Sequence, residues 1–112
     1  MRRFFERYDF LILPTAQTFP FHAEIHWPDT IAGKRMQTYH EWMKGVLFVT
    51  MSGCPSLAVP AGFNAQGLPI GIQIIAPNRR ELDCLSLGRA YEAATNWTNA
   101  RLPPLLERLS GA

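Results

Sequence analysis

Only two of the eleven basic residues are lysine, only two residues are cysteine, and no apolar run approaches the ~20 residues a membrane-spanning helix needs. Each shortage closes a class of function. Lys34 and Lys44 are the only candidate amine bases. Cys54 and Cys84 lie far apart without a CxxC spacing, which argues against a disulfide framework and a zinc site. Both read as small buried apolar side chains with free thiols. The start, Met1-Arg2-Arg3-Phe4-Phe5-Glu6-Arg7, has neither the apolar stretch nor the small-residue cleavage site of a secretory signal. A net charge of +2, spread along the chain, provides no basic stripe for nucleic acid. The expectation is a cytoplasmic protein with no nucleic-acid or membrane partner.

What is present is enough for one small folded unit. The chain has 112 residues, 47% of them hydrophobic and 18% charged, too apolar a balance for a disordered tail. Nine prolines and eight glycines cut it into short segments. Residues 2–8 resemble the end of a helix, with Phe4, Phe5 and Tyr8 on one face. Phe10-Leu11-Ile12-Leu13, between Asp9 and Pro14, suits a strand buried on both faces. From Thr15 to Gln37 no periodicity appears, and a connection this long belongs to a functional loop or a larger body. Thr38 and Glu41 have the spacing of a capping box, and an apolar helix follows to Gly53-Cys54-Pro55. Its second half, with Phe48, Val49 and Met51, is apolar nearly all round and is expected to be buried on several sides.

Ser56–Pro60 and Pro69–Ala76, joined through Asn64-Ala65-Gln66-Gly67, predict an antiparallel hairpin at about 56–76. Ile70, Ile72 and Ile74 share one of its faces, and Gly71 leaves room for a close neighbour on the other. Asn78 to Glu81 repeats the capping spacing, and a helix to about Asn96 carries the stripe Cys84, Leu87, Gly88, Tyr91, Ala94. The tail from Trp97 either packs back or wanders. The fold class is α/β.

No self-contained active site is visible in these residues. His22 and His26, with Glu24 and Asp29 near them, have a metal-like spacing but lie in a proline-broken loop, where helical spacing loses its meaning. Cys54 with His40 makes a poor nucleophile and base, since Cys54 follows a helix C-terminus whose dipole opposes a thiolate. Ser52, Ser56 and Ser86 fit neither a Gly-x-Ser-x-Gly elbow nor Ser-x-x-Lys, and Gly62, Gly67 and Gly71 lack the Lys-Ser/Thr partner of a phosphate loop. Asn96-Trp97-Thr98 matches a glycosylation acceptor only by coincidence in a protein without a secretion signal. No metal, cofactor or catalytic residue is expected.

Three segments carry a family resemblance. Tyr8–Thr15 (YDFLILPT), Ser52–Phe63 (SGCPSLAVPAGF) and Gly67–Ile75 (GLPIGIQII), followed by Glu81, Leu85 and Tyr91-Glu92, resemble the C-terminal part of amidase signature enzymes. The resemblance implies hydrolysis of carboxylic amides by a Ser–Ser–Lys triad. One serine attacks the carbonyl, a second in a cis peptide relays protons, lysine is the base, and backbone N–H groups hold the oxyanion. Those residues belong to a region N-terminal to the resembling part, so none is assigned to a position here.

The resemblance further implies that residues 1–112 form a single partial domain. It would be the C-terminal portion of a mixed sheet flanked by helices, with Met1 an internal methionine and the chain inactive alone. Partners are then the missing N-terminal amidase portion, or another copy meeting the exposed apolar face, with a small amide as substrate only in the complete enzyme. Ligands of α/β sheets bind beyond strand ends, which points to Pro14 and Thr15. By analogy with the family, Trp42, Met43 and Val46 line an apolar acyl or aryl pocket. That they are core residues instead stays open. So does the alternative of a non-catalytic α/β interaction module that self-associates or binds another chain.

Overall fold

The computed structural model describes residues 1–110 and sets the apolar runs side by side as one antiparallel sheet. Strand β1 is Leu11–Pro14, β4 is Ser56–Phe63 and β5 is Pro69–Ile75, in the order β1-β5-β4. The β4–β5 hairpin is the one expected at 56–76. Its register opposes Leu57 to Ile74 and Val59 to Ile72, so branched side chains stack on one face. The register shifts between Pro60 and Gly62, where an irregular backbone suits a proline that has no N–H to donate. The turn is tied by Asn64, whose side-chain oxygen accepts from Leu68 N–H at 2.8 Å, while Gly67 adopts φ +79°.

Helix α2, Glu81–Thr95, lies on β4 and β5. Ile74, Ala76 and Cys84 form the buried centre, with Phe10, Leu57, Val59 and Leu87 packed round it. The tail packs back through α3, Trp97–Ala100, whose Trp97 ring lies 6.3 Å from Phe63 and against Gly62. Helix α4, Pro104–Ser110, ends the described chain. No helix among the described residues is long and apolar enough to cross a membrane. The α/β class holds, but pairing among the described strands is antiparallel throughout, so the parallel component of a mixed sheet is not among them.

Several local expectations are corrected. Residues 1–8 form hydrogen-bonded turns, with Phe4 and Tyr8 rings stacked at 4.8 Å, rather than a helix end. Strand β1 is not buried on both faces. It lies at the sheet edge and Ile12 is 46% exposed, because α2 covers β4 and β5 instead.

The loop after β1 contains a small hairpin, β2 (Thr30–Ile31) with β3 (Lys34–Arg35). It closes through Ala32 and Gly33, both at positive φ as a primed hairpin turn demands. The expected helix from Thr38 is split into a 3-10 turn at Tyr39–Glu41 and helix α1, Lys44–Ser52, which ends at Gly53 in the left-handed conformation. Neither capping box forms. Thr38 makes no side-chain cap, and the Glu41 carboxylate accepts from Gln37 N–H one residue earlier. Asn78 is drawn away from α2 to donate to Gly53 O at 2.6 Å, so α2 begins after Arg80 without a side-chain cap. Helix α1 is not buried all round: Phe48 is 73% and Met51 86% exposed, since no described layer covers that side.

Candidate functional site

The end of β1 is held by two long-range interactions. Thr15 continues the ladder past Pro14, its N–H donating to Gly71 O at 3.0 Å and its hydroxyl donating to the same oxygen at 2.9 Å. Gly71 is needed there: a β-carbon would come within 3.0 Å of both Thr15 Oγ1 and Val59 O. One residue pair further along, Gln73 is 4% exposed and its side-chain amide donates to Pro14 O at 2.9 Å and Gly45 O at 3.4 Å. Its other end accepts from the Ser56 hydroxyl at 3.3 Å. One buried side chain thereby fixes the end of β1, the first turn of α1 and the start of β4 relative to each other.

Beyond that anchor the chain is placed by aromatic packing. Trp42 lies edge-to-face against Phe21 at 5.5 Å and against Tyr39 at 5.8 Å, and Tyr39 meets Trp27 in the same way at 6.2 Å. Such contacts add to burial because ring edges carry positive and ring faces negative charge. They fold the loop after Thr15 back over the sheet and leave a groove of about 540 Å3. Thr15, Phe19, Phe21 and Trp42 form one side of it, and Pro60 and Gly71 belong to the sheet side. No lysine, arginine, histidine, aspartate or glutamate lines it.

The structure thus brings Thr15 and Trp42 together in one groove. Pro14 lies outside the lining, with its carbonyl turned to Gln73. Met43 and Val46 also lie outside it, half-buried at the start of α1. The lining residues that sequence reasoning missed, Phe19, Phe21 and Pro60, carry no periodic signal. The only cue for the first two was a high density of aromatics in an aperiodic loop.

The remaining candidates are dispersed. His22 Nδ1 lies 3.7 Å from Glu24 at the surface, and no group of three or more metal-ligating side chains assembles among the described residues. Ser52 donates its hydroxyl to Val49 O at 2.6 Å, at the end of α1. Cys84 is buried, its thiol 3.5 Å from Ile74 O and 3.6 Å from Pro55 O. Burial pushes that thiol above its ordinary pKa, with the Asp83 and Glu81 carboxylates adding to the rise and an Ala76 backbone hydrogen bond opposing it. The Ser52 hydroxyl and the Cys84 thiol are tied into the fold, and among the described residues no hydrogen bond joins a serine hydroxyl or a cysteine thiol to a histidine, lysine or carboxylate.

Comparison with known proteins agrees with the motif order. The Amidase family model matches residues 1–85. The A subunit of the glutamyl-tRNA(Gln) amidotransferase from a Nostoc species is 39% identical over 93 residues, covering 83% of this chain and 18% of that protein. Its counterpart of the same name from Rippkaea orientalis is 34% identical over 90% of the chain and 20% of its own length. That of a Synechococcus species is 36% identical over 97% of the chain and 20% of its own length. No solved structure matches. The chain spans about a fifth of the length of these curated relatives. On the match over residues 1–85 and these identities, the chain belongs to the amidase family.

Proposed function

We propose that this chain is the C-terminal segment of an enzyme that hydrolyses carboxylic amides to an acid plus ammonia or an amine. It supplies one wall of the substrate site, and the Ser–Ser–Lys machinery comes from a portion N-terminal to it or from another chain. The observation that carries the reading is the groove beyond the end of β1, between Thr15 and Trp42, in a chain whose family match covers 1–85. The groove has the size of a small-molecule site, ~300–1,000 Å3.

Nucleophile, base and oxyanion donors then meet the substrate from the opposite wall, and this chain's part is to bind and orient the amide and to exclude water. No cofactor enters such a reaction. The relatives are named as subunits, which supports a partner chain here as well. A cytoplasmic location accords with this reading.

The test is complementation. The purified chain should show no amidase activity, and co-expression with the N-terminal portion of a family member should restore turnover that a serine-directed inhibitor abolishes. Turnover by the chain alone would overturn the account of the missing triad.

A second reading is favoured by the exposed apolar residues of α1, Phe48 and Met51. A non-catalytic module that buries this side by self-association would form a stable oligomer that ignores the N-terminal portion.

A further inference from the structure

The two edges of the β1-β5-β4 sheet are finished differently. In antiparallel pairing, alternate residues turn N–H and C=O to the neighbouring strand and the others turn them away from it. Ala76 N–H donates to Pro55 O at 3.2 Å, so along β4 it is Ser56, Ala58 and Pro60 that face outward. That edge is blunted. Pro60 has no N–H, its carbonyl accepts from the Tyr91 hydroxyl at 3.0 Å, the register shifts before Gly62, and Trp97 lies against Gly62. Proline, a bulge and a covering side chain are the devices by which proteins close an edge that stays in solvent.

The β1 edge has the opposite character. Thr15 N–H donates to Gly71 O, so Leu11 and Leu13 face β5 and Ile12 turns its N–H and C=O outward. Phe10-Leu11-Ile12-Leu13 carries no charge and no proline to blunt it, and its register with β5 is regular. An apolar run without alternation suits a strand with a neighbour on each side and cover on both faces. Here Ile12 is 46% exposed, and a cleft of about 500 Å3 opens next to Phe10, between Phe5 and Tyr8 on one side and Leu87 of α2 on the other.

We infer that the free edge of β1 receives a strand of the N-terminal amidase portion, paired through the Ile12 main chain and bringing the apolar cover that the Ile12 side chain lacks. The inference rests on reading the chain as the C-terminal segment of an amidase, and it places the seam at β1 rather than at β4. The chain spans about a fifth of the length of its curated relatives, so such enzymes have ample chain to supply the strand. In strand addition the main-chain hydrogen bonds hold the partner and alternate side chains select it.

Hydrogen exchange resolved to single amides tests this, on the 112-residue chain alone and co-purified with the N-terminal portion of a family member. In the assembly the Ile12 amide is expected to exchange at least about a hundredfold more slowly than in the dilute chain, while the Ala58 amide keeps its rate. Ile12→Pro removes that N–H without breaking a β1–β5 hydrogen bond, as Pro14 does in the same phase, and should cut co-purification at least about tenfold. Ile12→Val keeps the N–H and should assemble as the unsubstituted chain does. Protection at Ala58 in place of Ile12, or normal assembly of Ile12→Pro, overturns the proposal. So does Ile12 protection in the chain alone that grows with concentration and ignores the N-terminal portion, since the edge then pairs with a second copy. Where Ile12→Pro does not fold, exchange in the unsubstituted assembly decides. Restored turnover with Ile12 unprotected refutes the edge and leaves the amidase reading intact. Ile12 protected in an assembly without turnover does the reverse, and no assembly at all overturns both.

Discussion

The Leu57 side chain occupies the space that a β-carbon on Gly88 would need. Leu57 points from β4 into α2, and Gly88 is the residue that lets the helix come down onto the strand. Leu57 is itself packed against Ile74, Ala76 and Cys84, and moving aside would give up contacts with them. Gly88→Ala should therefore destabilise the fold, by up to about 2 kcal/mol. The overpacking cost of ~1–3 kcal/mol outweighs the ~1 kcal/mol that alanine gains over glycine in a helix. Urea unfolding at neutral pH checks this, and Leu57→Val in the same background should recover part of the loss. An increase in stability on Gly88→Ala would show that Leu57 moves freely.

Gln73 gives a second prediction. Its amide donates to two backbone carbonyls while its oxygen accepts from Ser56. Gln73→Leu keeps the bulk and strands those groups, at a cost of roughly 1–3 kcal/mol. Gln73→Glu is expected to behave differently with pH. The new carboxyl is buried against carbonyl oxygens, which favours its protonated, donating form and raises its folded-state pKa above the unfolded one. Its contribution is then fully present below the unfolded value and is lost as pH rises through the folded value. Denaturation midpoints from acid to neutral pH should fall for Gln73→Glu relative to Gln73→Leu; parallel curves would refute the burial argument.

Cys84 sets an alkaline limit. Burial holds its thiol above the ordinary cysteine value, so near and above that value the folded state keeps a proton that the unfolded state releases. Stability therefore falls as pH rises from about 8.5. Cys84→Ala should lower stability at pH 7 through the lost packing and flatten this alkaline slope. The free Cys54, half-buried in the pocket formed with Met1, Phe5 and Asn78, should react with a thiol reagent before Cys84 does. Modification of Cys84 first, under native conditions, would mean that its site opens without unfolding.

These relationships differ in how far they can be read from the chain alone. The hairpin and α2 are legible because Ile70, Ile72 and Ile74 alternate, and because Cys84, Leu87, Gly88 and Tyr91 recur at helical spacing. The β2–β3 hairpin is not, since strands of two residues carry no period and Ala32-Gly33 is a weak turn signal beside Asn-Gly. The Asn78 capping box misleads for a tertiary reason: its side-chain NH2 is turned to donate to Gly53 O, and its oxygen does not cap the first turn of α2. At the site, Thr15 follows from the strand end and Trp42 from the family resemblance. Phe19 and Phe21 do not, because their position depends on a loop whose path is set by ring contacts rather than by periodicity.

The exposed side of α1 bears on what covers this chain. Phe48 and Met51 project from consecutive turns, 73% and 86% exposed, and neither takes part in the core around Ile74. Two large apolar side chains placed together on a helix favour association, and at ~25 cal/mol per Å2 of apolar surface their burial contributes measurably to it. The chain alone should therefore associate as its concentration rises, and Phe48→Lys with Met51→Glu should abolish this in sedimentation velocity. The same pair of changes should alter the urea midpoint little, because exposed positions away from the core seldom exceed about 0.5 kcal/mol. In complementation with an N-terminal amidase portion, the double variant should lose assembly and activity together if that portion occupies this side of α1. Full activity with association abolished would place the amidase contact elsewhere on the chain, and would assign Phe48 and Met51 to contacts between copies.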